Sequence, residues 1–192
     1  MTTGDKTDTT VTVDLFVSVD GWAGSTDSPG YFGYGGPDLM AWIDESSSVP
    51  HVALLGRRTY ELLSGMPVSA HDGTWVTELD KIVFSRTLDS VAWPKTELCK
   101  EDVVSTVRRR KAEGGLPMRT MGSLSLARQL LDAGLVDRLR LMTFPLIVGP
   151  TGREAAFEHV ASADLQLVDH RVLDDRVVLL EYRPTGNDIP RA

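Results

Sequence analysis

A single cysteine, Cys99, stands in 192 residues, so no internal disulfide can form. Alone, it reads as a passive thiol rather than a nucleophile. The four histidines, His51, His71, His159 and His170, are scattered without paired ligand spacing, and no metal site is expected. No apolar run reaches the length of a membrane span. Residues 1–10 are polar where a secretory signal would be apolar. The expectation is a soluble, cytoplasmic protein without a membrane partner. Positive charge is also scarce. Acidic residues outnumber basic ones 27 to 20, a net charge of −7, which offers nucleic acid no general attraction. The one basic run, Arg108-Arg109-Arg110-Lys111, lies between Glu101-Asp102 and Gly114-Gly115 in a helix-like stretch. Cations near a helix C-terminus complement its dipole, and that reading is preferred to a nucleic-acid patch.

What is present is enough for one domain with a sizeable core. Apolar residues make up 42%, slightly below the usual globular range but far from disorder. Residues 1–10 read as a disordered lead-in, 11–184 as the domain and 185–192 as a tail. Residues 11–19 are rich in β-branched and apolar types and read as a first, central strand. Residues 25–37 are dense in Gly, Ser, Pro and Tyr and read as a long loop, more often a lid or binding loop than filler. A short helix is expected over 38–45, with Pro37 at its start. Strand 51–55 and helix 57–64 follow, then an irregular stretch over 66–77 and a strand over 81–85. Helical periodicity returns over 101–113 and stops at Gly114-Gly115. Strand 118–121 leads into helix 124–133, and 137–144 alternates as a strand should. Two last strands, 165–172 and 176–183, flank Leu173-Asp174-Asp175 as a hairpin. The fold class expected is α/β: a single mixed, mostly parallel sheet flanked by helices, with a C-terminal antiparallel hairpin.

The most informative stretch is Leu54-Leu55-Gly56-Arg57-Arg58-Thr59-Tyr60-Glu61. It puts an arginine pair and a hydroxyl at a helix start, where unpaired N–H groups and the helix dipole attract anions. Guanidinium binds phosphate bidentately, which suits this spot to a phosphoryl group. A solvated helix start with two surface arginines fits the same residues. Two further junctions repeat the pattern. Lys81-Ile82-Val83-Phe84-Ser85-Arg86 ends a strand in Ser-Arg. Met118-Arg119-Thr120-Met121-Gly122-Ser123 ends one in Gly-Ser and opens the helix Leu124-Ser125-Leu126. Three such strand ends point to one crevice at the carboxyl edge of a sheet, where dinucleotides bind.

With Val17-Ser18-Val19-Asp20-Gly21 after the first strand, and Gly134-Leu135-Val136-Asp137-Arg138-Leu139-Arg140-Leu141 before Pro145, these motifs resemble the dihydrofolate reductase-like superfamily. Within it, the chain is most similar to proteins related to the reductase domain of bacterial riboflavin biosynthesis. The resemblance spans roughly residues 10–183 in the family's order. It implies NADPH as cofactor and hydride transfer to an electron-poor C=N or C=O carbon of a small heterocycle. It implies that Arg57, beside Gly56 and Arg58, meets the 2′-phosphate and Thr59 the pyrophosphate. Ser85 and Arg86 would hold the adenine-ribose end. Gly122, Ser123, Leu124, Ser125 and Leu126 would form the second helix start. The family has a glycine where this chain has Leu124, and a leucine crowds that turn. Val17, Ala23 and Gly24 match positions beside the nicotinamide, and Phe16, Asp20 and Trp42 fall on the substrate side.

For the catalytic acid the weak candidates are Asp20, Asp38 and Asp44. Asp20-Gly21 is also a common turn dipeptide. Asp38 and Asp44 equally fit helix-surface charges outside the Trp-x-x-x-Asp context of true dihydrofolate reductases. Trp22, Tyr31, Phe32, Tyr34 and Trp42 offer surface for a flat ring, or core and lid packing. The resemblance also implies a homodimer. A nucleotide- or ligand-binding protein without turnover is the alternative function.

Overall fold

The computed structural model describes residues 9–26, 28, 30–66 and 78–190. Its centre is an eight-stranded sheet in the order β5-β4-β3-β6-β1-β7-β10-β9. The strands are β1 (Val11–Ser18), β3 (Val52–Gly56), β4 (Asp80–Phe84), β5 (Thr96–Cys99), β6 (Met118–Thr120), β7 (Arg138–Phe144), β9 (Leu165–Leu173) and β10 (Val177–Pro184). Neighbours from β5 to β7 pair in parallel, and β10 is antiparallel to both β7 and β9. The sheet is therefore mixed and mostly parallel with a terminal hairpin, as expected. Asp174 and Asp175 carry that hairpin's turn with φ of 53° and 52°, a left-handed conformation that Asp tolerates.

β1 lies between β6 and β7, and its residues alternate between two different faces. Val11, Val13, Leu15 and Val17 enter an apolar core with α3 (Val103–Glu113) and α4 (Leu124–Asp132). α1 (Pro37–Ser48) covers the other face, where Leu39 and Trp42 meet Met142, Phe144 and Leu179. α2 (Arg57–Ser64) packs on that same side, Tyr60 meeting Ala53, Leu55 and Val83. No helix among the described residues is long and apolar enough to cross a membrane.

Several elements differ from the sequence reading. α1 runs three residues past 45. The serines there read as loop, yet Ser46 Oγ and Ser48 Oγ donate to the carbonyls of Ile43 (3.1 Å) and Glu45 (2.7 Å), and Arg119 donates to the Ser46 carbonyl (2.9 Å). The 25–37 segment is not all loop. It starts in β2 (Trp22–Ser25), paired antiparallel with β8 (Gly152–Ala155), and contains a 3-10 turn over Gly30–Gly33. Phe32 and Tyr34 pack tilted against Phe144, at 5.5 and 5.9 Å between ring centres. β2, β5 and β8 have four residues each, too few for alternation to register. Thr9, expected in the lead-in, is buried. Residues 67–77, within the stretch read as irregular, lie outside the described residues, as do 27 and 29 of the expected lid.

Candidate functional site

β3 and β6 are parallel neighbours, but the helices that follow them go to opposite faces of the sheet. The chain thus opens a crevice between the two strand ends, the position where open α/β sheets bind ligands. The two junctions interlock there. Ser123 Oγ accepts from the Gly56 amide (2.7 Å) and shares a hydrogen bond with Thr59 Oγ1 (2.7 Å). Gly122 and Ser123 both take left-handed backbone, with φ of 58° and 62°. A Cβ on Gly122 would lie 3.1 Å from Thr59 Cγ2, and one on Gly56 would lie 3.1 Å from Ser123 Oγ. Left-handed backbone and this close contact favour glycine at 122, and at 56 an added side chain would press on Ser123. Neither α2 nor α4 has a side-chain N-cap among the described residues; the Leu126 amide donates to the Ser123 carbonyl (2.9 Å), which leaves the amides at the very start of each helix to face the crevice. Leu124 is the first helical residue, with its side chain packed on the core. The left-handed step falls on Ser123, so Leu124 does not close the turn.

Around these junctions lies a cleft of roughly 1180 Å³. Its wall includes Gly56, Arg57, Arg58, Thr59, Ser85, Arg86, Gly122, Ser123, Leu124, Ser125 and Leu126, so the structure brings the three predicted junctions together. Arg57 donates to Thr87 Oγ1 (2.8 Å) and pairs with Glu61 (3.3 Å), while Arg58 faces Glu154 across the cleft at 3.7 Å. These pairs are exposed and hold the guanidinium groups only weakly. Ser85 plays a structural part, its Oγ accepting from the amides of Thr87 (3.2 Å) and Leu88 (3.0 Å). Arg86 has Asp102 nearby. The Asp102 carboxyl is held below its ordinary range, first by the Ser105 amide it caps at the start of α3, with Arg86 a smaller cause.

Phe16 and Ala23 also line the cleft. Other predicted residues lie elsewhere. Val17 is buried in the core under α3 and α4. Gly24 pairs with Arg153 in the β2–β8 ribbon. Asp20 ties the end of β1 to the segment after β7. Its carboxylate accepts from Ser18 Oγ (2.6 Å) and from the amides of Val148 (3.1 Å) and Gly149 (2.8 Å). The Ser18 hydroxyl, then the two amides, hold its pKa below the ordinary value. Asp38 and Asp174 form a reciprocal clasp. Asp174 accepts from the amides of Asp38 and Leu39, and Asp38 accepts from the Asp174 amide. Asp44 is exposed on α1. Trp42 is buried beneath the guanidinium groups of Arg119 and Arg140, whose carbons lie 5.6 and 5.9 Å from its ring centre.

Asp14 went unnoticed in the sequence, and so did Arg119. Asp14 lines the cleft beside Leu15 and Phe16 and is ion-paired with Arg119 Nε. A charged residue amid the apolar alternation of β1 was the available signal, since a buried charge needs a partner.

The family described as the RibD C-terminal domain matches residues 9–179. YyaP of Bacillus subtilis (strain 168), described as uncharacterized, is 24% identical over 183 residues, spanning 92% of this chain and 95% of YyaP. Solved structures share the fold. The diaminohydroxyphosphoribosylaminopyrimidine deaminase/5-amino-6-(5-phosphoribosylamino)uracil reductase of Thermotoga maritima superposes with a TM-score of 0.67 at 16% identity, covering 93% of this chain and 57% of that one. A pyrimidine reductase-like protein from Corynebacterium diphtheriae gives 0.64 at 14% identity, covering 93% of each chain. The dihydrofolate reductase of Enterococcus faecalis, complexed with NADP(H) and RAB-propyl, gives 0.62 at 14% identity, covering 92% of this chain and 97% of that one. These structures share the fold of this chain, and the chain belongs to the RibD C-terminal domain family.

Proposed function

We propose that this protein is an NADPH-dependent reductase that transfers hydride to a small pteridine- or pyrimidine-like heterocycle. One observation carries this reading. Two helix starts without side-chain caps meet at a glycine-lined cradle, and Arg57, Arg58 and Arg86 line the same cleft. Peptide N–H groups at helix starts suit a diphosphate, and guanidinium groups beside them suit one further phosphoryl group. Gly56, Gly122 and Ser123 allow close approach, and the amides of Leu124 and Ser125 face the anion. Thr59 keeps the cradle in shape through Ser123. Arg57 meets the 2′-phosphate, while Ser85 and Arg86 border the adenine-ribose end. Phe16 and Ala23 border the nicotinamide and substrate end. The bound cofactor supplies the hydride; the protein aligns the two rings and excludes water. The reductases among the solved relatives, one of them complexed with NADP(H), support the same cofactor class.

Titration decides cofactor choice. NADPH is expected to bind more tightly than NADH, and Arg57→Ala to erase most of that difference. A charge-assisted contact is worth about 1.5–3 kcal/mol, roughly one to two decades in affinity. Equal affinity of the unmutated protein for both cofactors would overturn the proposal. NADPH oxidation against pterins, flavin precursors and quinone-like carbonyls then tests turnover. A specific observation favours a binding protein without turnover as the second reading. Asp20 commits its carboxylate to a hydroxyl and two amides and is held ionised, so it is a poor proton donor. Tight NADPH binding with no oxidation across the screen would select that reading.

We also propose a homodimer. β9 is an outer strand, and Leu167, Val168 and Val172 are exposed on it. Open strand edges and apolar patches are usually covered. A monomeric mass by light scattering at micromolar concentration would exclude this assembly.

A further inference from the structure

Asp14 is the unexplained group of the cleft. Its side chain is only 5% exposed. One carboxylate oxygen, Oδ2, is held by Arg119 Nε. The other, Oδ1, is buried with no hydrogen-bond donor among the described residues; Arg140 Nη1 lies 4.0 Å away. A buried acceptor left without a donor is costly, and native proteins keep few of them. The partner that fixes this carboxylate is itself fixed. Arg119 donates to the Ser46 carbonyl of α1 (2.9 Å) and stacks over Trp42. Asp14 is thus a carboxylate fixed by Arg119 among the residues that line the cleft; Oδ1 has no exposed surface of its own and meets a ligand once the side chains covering it give way, and as the carboxylate of an ion pair it accepts rather than donates. Phe16, two residues along the same strand face, supplies apolar surface beside it. The Phe16 ring is held edge-on by Tyr31 at 5.3 Å and by Phe144 at 6.2 Å.

We propose that Asp14 is a ligand-binding residue of the cleft, whose Oδ1 accepts a hydrogen bond from an N–H at the edge of a planar heterocycle seated against Phe16. This rests on the reading of the cleft as a reductase site. It adds to that reading both the recognising residue and the ligand's required feature, a donor edge. The specificity follows from burial. An acceptor shielded from water discriminates strongly against a ring that lacks the matching donor.

The test uses two bicyclic rings of the same outline. Lumazine carries N–H donors at N1 and N3; 1,3-dimethyllumazine carries none. Titration calorimetry is run on the NADPH-loaded protein. Lumazine is expected to bind about ten-fold or more tightly than the dimethyl compound. Asp14→Asn presents an amide N–H₂ toward the donor and is expected to lower lumazine affinity by about ten-fold or more. NADPH affinity should change by less than about two-fold, because the cradle lies at other residues. Equal binding of the two rings, unchanged lumazine affinity in the variant, or no lumazine binding to the loaded protein would each overturn the proposal. Should the variant fail to fold, a crystal structure of the wild type with NADPH and lumazine decides. A lumazine nitrogen within hydrogen-bond distance of Asp14 Oδ1 supports the assignment, and a ring bound elsewhere overturns it. Failure to bind NADPH would instead sink the reductase reading, and lumazine soaked into the cofactor-free protein would still report on Asp14.

Discussion

The two faces of β1 are built on opposite principles. Toward α3 and α4, Val11, Val13, Leu15 and Val17 are buried against aliphatic neighbours such as Val107 and Leu130. Toward α1, the same strand presents Thr12, Asp14, Phe16 and Ser18, and Asp14 sits in register with Arg140 on β7. That side continues as a charged stripe. Arg119 pairs with Asp14, and Arg138 and Arg140 each pair with Glu181 at 3.0 Å. The dry face needs only shape and apolar area. The charged face must desolvate its ions, and it regains that cost only through close pairing and stacking on Trp42. A fold seeking stability alone would have made both faces dry. The difference puts the carboxylate of the proposed ligand contact on the α1 side of the strand.

Breaking the charged face should have the largest effect. Arg119→Ala removes the partner of buried Asp14 and is expected to cost about 3–5 kcal/mol in denaturant unfolding. The double replacement Asp14→Leu with Arg119→Met leaves no unpaired charge. It should unfold at or near the wild-type midpoint while losing lumazine binding. A double variant as unstable as the single one would make the stripe a structural device after all.

The dry face gives the next effect. Leu130→Ala leaves a cavity in a fully buried position and should cost about 2–5 kcal/mol. Lumazine affinity should hold, because no atom of the charged face has moved. A parallel loss of lumazine binding would show the faces to be coupled.

A smaller effect is expected where the two faces meet the cradle. Gly122→Ala forces a side chain into left-handed backbone and toward Thr59, at about 1–3 kcal/mol. NADPH affinity should fall more than lumazine affinity. The opposite order would move the cofactor away from the α4 helix start.

The smallest effect is pH-dependent. His51 is buried, and its Nδ1 lies 2.6 Å from the Val49 carbonyl. Burial lowers its pKa most, and Arg119 and Arg140 lower it further, against the opposing Val49 carbonyl and Asp14 charge. The unfolded chain therefore takes up this proton at higher pH than the folded one. Stability is expected to fall as pH drops below about 6.5, until the folded imidazole also protonates. His51→Gln should flatten that slope in thermal melts. A wild type whose melting point does not change between pH 7 and 5 would contradict the assignment.

Long elements were legible without coordinates. β1 and α2 show why: apolar runs and helical spacing persist long enough to be read. Gly56 and Gly122 were equally legible, because glycine where a strand turns into a helix is a local signal of close approach. The effect of Leu124 was not legible, since whether it crowds a turn depends on which residue takes the left-handed step, here Gly122 and Ser123. Asp20 and Asp38 carry the right chemistry for an acid, but apart from Ser18 beside Asp20 their partners sit more than 120 positions away, at Gly149 and Asp174. No local pattern reports such a partner.

By itself, then, the sequence determined the longer strands of the sheet, the strand ends at Gly56, Ser85 and Gly122 and the family resemblance, because these rest on neighbours in the chain. Only the tertiary structure decided which carboxylates are already occupied and that Asp14 Oδ1 has no hydrogen-bond donor among the described residues. Hydrogen bonds and ion pairs are satisfied through space, and whether a polar group is spent or available depends on residues that chain order does not bring together.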